Sequence, residues 1–452
     1  MSRPRFTLSR RRVLEVGAAT AFGLNWPNLL RAREEQTAKP PRRQFGRAQS
    51  CVVIFLWGGL GQQDLWDPKP LVPAEIRSEF APIATNVPGI EITEPLPQLA
   101  RQTDKFTIIR SMTHRDFEHG TAAYTALTGQ PHPQPGTNTP ASPDDFPRYG
   151  AVVSAVGTNR RPVPDAVVLG PVLHQGNRPP VAGQNGGFLG AGYDLFRIAD
   201  DPNAENFRVD GIALPEAMNA ERFRGRFGLL SQFEANAGLG EADLRIQGMS
   251  DLYQRARGLL GSAETQQAFE LDAEPAQRRE RYGRTRFGQT LLLARRLVEA
   301  RVPLIQVNWS RQNADQWDTH KKSYPTLRKL LPSFDQALAA FLEDLHERGL
   351  LESTLVVCLG EFGRTPKVNP DGGRDHWPDC YSVVIAGGGI AGGRVYGASN
   401  KDASYPSSQH VAPWDLAAML YHQLGIDPHG HLTNRQGQPL MISRGQSIAG
   451  LI

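Results

Sequence analysis

At 452 residues, with 40% hydrophobic and 21% charged residues, the chain has the balance of a globular protein and enough apolar material for a sizeable core. The formal net charge of +4 resides in the first 32 residues, whose six arginines and one glutamate amount to +5; the remainder stands at −1, which excludes a nucleic-acid footprint. Three cysteines (Cys51, Cys358 and Cys380) are too few for a disulfide scaffold, and Cys51 and Cys358 lie in apolar runs as small buried hydrophobes.

The chain opens on MSRPRFTLSRRRVLEVGAATAFGL. A basic start, Ser9-Arg10-Arg11-Arg12-Val13-Leu14 and the apolar run Ala18 to Leu24 resemble a bacterial twin-arginine (Tat) export signal. A transmembrane helix needs about 20 apolar residues, so no stable span is expected. Residues 1–32 are therefore predicted to be a Tat signal segment handled by the Tat export machinery, delivering the protein to the periplasm or cell surface. A single α/β domain is predicted over 45–452.

Within that domain, apolar runs predict buried strands at Val52 to Trp57, Phe106 to Ile109, Ala166 to Leu169, Leu304 to Val307, Leu355 to Leu359 and Ser382 to Ala386. About 130–215 is rich in Pro, Gly and Asn and reads as a loop-rich insertion; about 216–285 reads as a charged helical segment. Thr290 to Ala300 predicts a helix. A second is predicted at Ser333 to Arg348, where Phe334, Leu338, Phe341, Leu342 and Leu345 share one face and Gly349 follows as the cap. Strands apolar on both faces and separated by helices imply a mostly parallel sheet with helices on both sides.

Ligands of such a sheet sit beyond the carboxyl ends of its strands, and there the polar residues collect. Asp64 and Asp67 follow the first strand; His114, His119 and Thr121 follow Phe106 to Ile109. Asp318 and His320 follow Leu304 to Val307. Glu361, then Asp375 and His376, follow Leu355 to Leu359. A lone Asp after a strand is ordinarily an N-cap or turn residue. Together the carboxylates and imidazoles suit a mixed oxygen–nitrogen metal site, favouring zinc or manganese, with calcium or magnesium less suited.

LWGGLGQQDLWDPKP, HGTAAYTALTG, QWDTH, DQALAAFLEDLHERGLLESTLVVCLGEFGRTPKVN and GRDHWPDCYSVVIAGGG, between about residues 56 and 389, resemble the domain-of-unknown-function 1501 family of the alkaline phosphatase/sulfatase superfamily. The resemblance implies an alkaline-phosphatase-like three-layer α/β fold with one or two metals at the carboxyl edge of its sheet. It places Glu361 and Phe362 where the superfamily has an Asp-His ligand pair. It likens Asp318, His320 and His376 to metal ligands, with Asp64 as the first-strand acid and Asp67 as its competitor. At the nucleophile's place, nine residues before Thr128-Gly129, stands His119. Thr121, two residues on, is one candidate nucleophile and equally a helix N-cap; His119 is otherwise a metal ligand or general base. Arg364 is a candidate clamp for an anionic oxygen, or else an ion-pair residue.

The expected function is an exported metal-dependent hydrolase of phosphate or sulfate esters, acting on a small or polymeric anionic substrate. Asp64, Asp318, His320, Glu361 and His376 would be its metal ligands, and Thr121, His119 and Arg364 its catalytic residues. The alternative is a non-catalytic exported binding or surface-associated protein that keeps the fold and a structural metal. A transfer reaction on an anionic surface polymer is a third expectation.

Overall fold

The computed structural model describes residues 45–452, except 138, 158–162, 311–316 and most of 210–262. The Tat segment predicted at 1–32 lies outside the described residues, as does most of the helical segment predicted near 216–285. Gly46–Ile452 forms one compact unit.

Eight strands make its central sheet: β1 (Ser50–Leu56), β2 (Phe106–Met112), β3 (Ala166–Leu169), β4 (Phe196–Ile198), β5 (Leu304–Trp309), β6 (Thr354–Leu359), β7 (Tyr381–Ala386) and β8 (Arg394–Tyr396). Their order is β8-β2-β7-β6-β1-β5-β3-β4. All run parallel except β7, which is antiparallel to both β2 and β6. The mostly parallel sheet is as predicted, and each of the six predicted strands is present.

Alternate residues of β1 serve two cores. Val52, Ile54 and Leu56 face a layer built on α3 (Arg286–Glu299) and α4 (Ser323–Glu347). Cys51, Val53 and Phe55 face α1 (His119–Thr128), α2 (Tyr149–Val156) and α5 (Pro413–Gln423). This period of two, with both faces apolar, is what a helix-covered sheet requires. Phe334, Leu338, Phe341, Leu342 and Leu345 of α4 are each at most 1% exposed, worth roughly 1.5–3 kcal/mol apiece. All three cysteines are free and buried.

Two outcomes refine the prediction. Helix α4 begins ten residues before Ser333 and runs through Pro332; burial of Tyr324, Leu327, Leu330 and Leu331 outweighs the hydrogen bond that the proline cannot make. The region near 130–215 contributes α2, β3 and β4 to the layers as well as loops. Among the described residues no helix is long and apolar enough to cross a membrane.

Because β1, β2, β5 and β6 are parallel, their carboxyl ends share one edge of the sheet. The reversed strand β7 begins at that edge, with Tyr381 beside Met112.

Candidate metal centre

Strand β1 runs on into Trp57-Gly58-Gly59. Gly58 has φ +125°, and a side chain there would overlap the backbone of Trp317 and Asp318. Only glycine allows this approach, and it brings the segment after β5 against the end of β1. Trp317, 1% exposed, anchors that segment with edge-on contacts to Trp309 (5.2 Å) and Phe334 (5.5 Å). Past β6 the chain turns through Glu361 and Phe362 into Gly363–Arg364, which pairs antiparallel with His376–Trp377, so that Arg364 and His376 are cross-strand partners. His119 is the first residue of α1, which follows β2.

These elements converge on four side chains. His119, Asp318, His320 and His376 each present a ligand atom, and all four atoms lie within 4.8 Å of one another; among the described residues no other such group occurs. Asp318 Oδ1 is 3.3 Å from His119 Nε2, 3.1 Å from His320 Nε2 and 3.6 Å from His376 Nε2.

The other nitrogen of every ring is occupied. His119 Nδ1 lies 2.5 Å from Glu361 Oε1, His320 Nδ1 lies 2.7 Å from Asp375 Oδ1, and His376 Nδ1 lies 2.6 Å from the Phe117 carbonyl. A carboxylate or a carbonyl can only accept, so each Nδ1 carries the proton and donates it. Three Nε2 lone pairs are thereby aimed at one point. Those of His320 and His376 are 2.8 Å apart, close enough that a proton or a metal ion has to lie between the two lone pairs. His119 Nε2 is buried and faces Asp318 Oδ1 across 3.3 Å. Imidazoles fixed through Nδ1 by oxygen, with Nε2 bare, are the arrangement that holds a divalent metal.

The electrostatics point the same way. Burial pulls the His119 pKa down, but the hydrogen bonds and charges of Asp318 and Glu361 outweigh it and raise it to about 9. Burial opposes ionisation of Asp318, yet the three imidazoles and the Arg364 guanidinium hold its carboxyl far below the usual range. Contact with Asp318 raises His320. Burial lowers His376, and the charges of His119 and Arg364 add to it. A pocket that stabilises positive charge on buried His119 is one that attracts a cation.

One side of the centre is closed. The Phe362 ring packs on His119 (4.9 Å) and His376 (4.6 Å), and Trp57 packs on His119 at 5.2 Å. The other side is open: the side chains of His320 and Asp375 are 39% and 55% exposed.

Of the five predicted ligands, the structure brings Asp318, His320 and His376 together and joins His119 to them. Glu361 is outside the four. It is fully buried, accepts from Gly58 N–H at 2.9 and 3.1 Å, and holds the far side of His119. Asp64 stands apart in an ion pair with buried Arg374 (2.9 Å), its other oxygen 3.3 Å from the Tyr324 hydroxyl. Asp67 pairs with Lys69 and Arg110. The Thr121 hydroxyl donates back to the Glu118 carbonyl at 3.5 Å. Arg364 is 1% exposed and donates to Asp318, to the carbonyls of Gly58 and Gly59, and to that of Arg374, so those donors are not available to a substrate anion.

Two partners were beyond sequence reasoning. Asp375 stands beside His376 in sequence yet serves His320, and the Phe117 carbonyl is a backbone atom that no residue type announces. His114, also singled out, donates from Nε2 to the Glu361 carbonyl at 2.7 Å and accepts the Asp116 N–H on Nδ1, so it buttresses the turn after β6.

A family model described as a protein of unknown function (DUF1501) matches residues 48–452. No curated protein matches the chain by sequence. Similar solved structures include the PsFucS1 sulfatase from Pseudoalteromonas sp., at 14% identity and TM-score 0.41, covering 85% of this chain and 69% of that one. The lipoteichoic acid synthase LtaP from Listeria monocytogenes is 10% identical with TM-score 0.39, covering 91% of this chain and 78% of that one. The phosphonate monoester hydrolase of Agrobacterium radiobacter is 11% identical with TM-score 0.38, covering 89% and 76% respectively. The family match runs through every strand of the sheet and all four converging side chains, and the chain belongs to the DUF1501 family.

Proposed function

We propose that the protein is an exported metal-dependent hydrolase of phosphate or sulfate esters. Three imidazoles carry this assignment: each has its Nδ1 held by an oxygen and its Nε2 turned onto Asp318. His119, Asp318, His320 and His376 would hold a divalent ion, and three nitrogens with one carboxylate favour zinc or manganese. Bound there, the ion would polarise an ester oxygen and stabilise the charge that develops on it. Glu361 and Asp375 keep the rings of His119 and His320 in place. Trp57 and Phe362 exclude water from the closed side, and the exposed flank of His320 leaves an approach for an anionic ester. Water is the attacking group in this reading, since both ring nitrogens of His119 are committed and the Thr121 hydroxyl is turned back on its own helix.

The second reading, a binding or surface-associated protein with a structural metal, draws support from the same count: four protein ligands complete a tetrahedral set, as in structural zinc sites. Turnover separates the two. Metal-reconstituted protein is tested against aryl and alkyl phosphate and sulfate esters beside His320→Ala. Hydrolysis that needs the metal and is lost in the variant supports the hydrolase. Stoichiometric metal with no turnover of any ester supports the second reading. Export is tested by fusing residues 1–45 to a folded reporter: transport abolished by Arg10→Lys with Arg11→Lys is expected, and transport that survives the pair refutes a Tat signal.

A further inference from the structure

Helix α2 begins at a charge that the fold leaves unanswered. Arg148, its N-cap residue, is 0% exposed. The backbone holds it in place: its N–H donates to the Asn185 carbonyl at 3.4 Å, and its own carbonyl accepts from Ala151 and Val152. Within its guanidinium only Nη1 has a partner, the Gln184 carbonyl at 2.8 Å. Nε and Nη2 are buried and make no hydrogen bond. These two nitrogens share one edge of the guanidinium, where their N–H bonds run parallel as a fork.

The surroundings do not neutralise this charge. Arg197 on β4 adds a second positive one; it donates from Nη1 to the carbonyls of Gly170 (3.4 Å) and Pro171 (3.1 Å), just past β3. Asp194 is a counter-charge to both arginines, but its Oδ1 accepts from Gly186 N–H at 2.6 Å and it makes no ion pair with either. Burial first, then the Arg197 charge, pull the Arg148 pKa down to about 9, and Asp194 offsets them only in part. Arginine nonetheless keeps its proton. A buried charge is ordinarily paired, because no water solvates it. Here two guanidiniums stand against one carboxylate, and a parallel pair of donors has no acceptor.

We propose that the Nε–Nη2 edge of Arg148 is the seat of a small oxyanion (sulfate, phosphate or a carboxylate) bound side-on through two of its oxygens. Paired N–H donors on a charged group match two oxygens of one anion, and such charge-assisted pairs are the strong ones. The site stands at the β3–β4 end of the sheet, apart from the four converging side chains, and does not depend on the hydrolase reading. The backbone lying against Arg148, Gln184 and Asn185, belongs to a stretch with glycine at 183, 186, 187 and 190, and it is this stretch that yields to admit the ion.

The test reads the melting of the intact chain in sodium sulfate, phosphate and acetate, each beside chloride at matched ionic strength. In the wild type at least one oxyanion is expected to raise the midpoint along a saturable curve, as a ligand of the folded state does. Arg148→Met removes an unpaired buried charge, so it should lose that rise and melt no lower than the wild type in chloride. Arg148→Lys keeps the charge without the fork and should reach the same rise only at roughly tenfold higher anion concentration. No saturable rise with any of the three anions in the wild type overturns the proposal. An equal rise in Arg148→Met also overturns it, by putting the ion elsewhere, the metal centre included. Should Arg148→Met fail to fold, the wild type and Arg148→Lys decide: equal curves in the two overturn the fork.

Discussion

Replacing Glu361 with glutamine changes one oxygen to an amide nitrogen at a site with no solvent to compensate. Both carboxylate oxygens of Glu361 accept from Gly58 N–H, and Oε1 also accepts from His119 Nδ1 at 2.5 Å. A glutamine must turn its NH2 either toward Gly58 N–H, donor against donor, or toward His119, which forces the ring to carry its proton on Nε2, facing the ligands. A buried hydrogen bond to a charged group contributes about 1.5–3 kcal/mol. Loss of a carboxylate that orients a metal-binding histidine costs roughly 10–100-fold in affinity, or about 1.4–2.7 kcal/mol. The two figures agree, so Glu361→Gln is expected to weaken zinc or manganese binding by at least tenfold while the chain still folds. Competition against a chromogenic chelator measures it, with circular dichroism confirming the fold. An affinity within threefold of wild type in a folded variant would refute the argument, and Glu361 would be only a strand-end carboxylate satisfying a turn.

Asp375→Asn, which alters the partner of His320 Nδ1, should weaken metal less than Glu361→Gln, because the Asp375 side chain is 55% exposed and water can replace it; the reverse ranking by the same chelator assay would contradict the role of burial. Gly58→Ala forces a side chain into the backbone of Trp317 and Asp318 and demands φ +125° of an alanine, so it should abolish stoichiometric metal by elemental analysis, whereas Gly136→Ala, strained but open to solvent, should leave it intact. Saturating a folded site at 100 times Kd should add about 2.7 kcal/mol of stability, read as a rise in denaturation midpoint that a chelator reverses and that His376→Ala lacks. Away from the site, burial raises the pKa values of Glu274 and Asp344, but Arg295 and Arg296 outweigh it for Glu274, as do Arg348, Arg295 and Tyr282 for Asp344, and both folded values fall below the ordinary 4.5 and 3.8. Stability from this network is therefore fully present above pH 4.5 and lost as the pH falls through the folded values; urea unfolding at pH 6 and pH 3.5 checks it, and equal stability at both would refute it.

The strands at the middle of the sheet were legible because burial on both faces demands uninterrupted apolar residues, as in Cys51 to Leu56. The edge strands β4 and β8 were not: three residues each, Phe196–Ile198 and Arg394–Tyr396, half-buried except for Ile198 and interrupted or led by an arginine, form no apolar run. Nor does an apolar run carry a direction, so the reversal of β7 could not be read from Tyr381–Ala386. At the site, strand-end position identified acids and imidazoles without telling ligands from their supports. Asp64 and Asp318 look alike in sequence; they part because Arg374, 310 positions from Asp64, claims the former, and such pairings are fixed by folding rather than by spacing. Glu361 was drawn to the right place for a different job, and His119 follows from the same strand-end rule once its ring is seen to face Asp318.

The four converging side chains stand at positions 119, 318, 320 and 376, a separation of 257 residues from first to last. Three different strands must find their places before they meet, and the last, His376, arrives just ahead of the strand that runs against the others. No fragment of the nascent chain short of residue 376 owns the full set. Affinity for an ion is thus an attribute of the finished sheet, acquired late, when the slow long-range pairings are already made. An ion taken up then acts as a clasp across the middle of the molecule, holding shut the closure that made its binding possible.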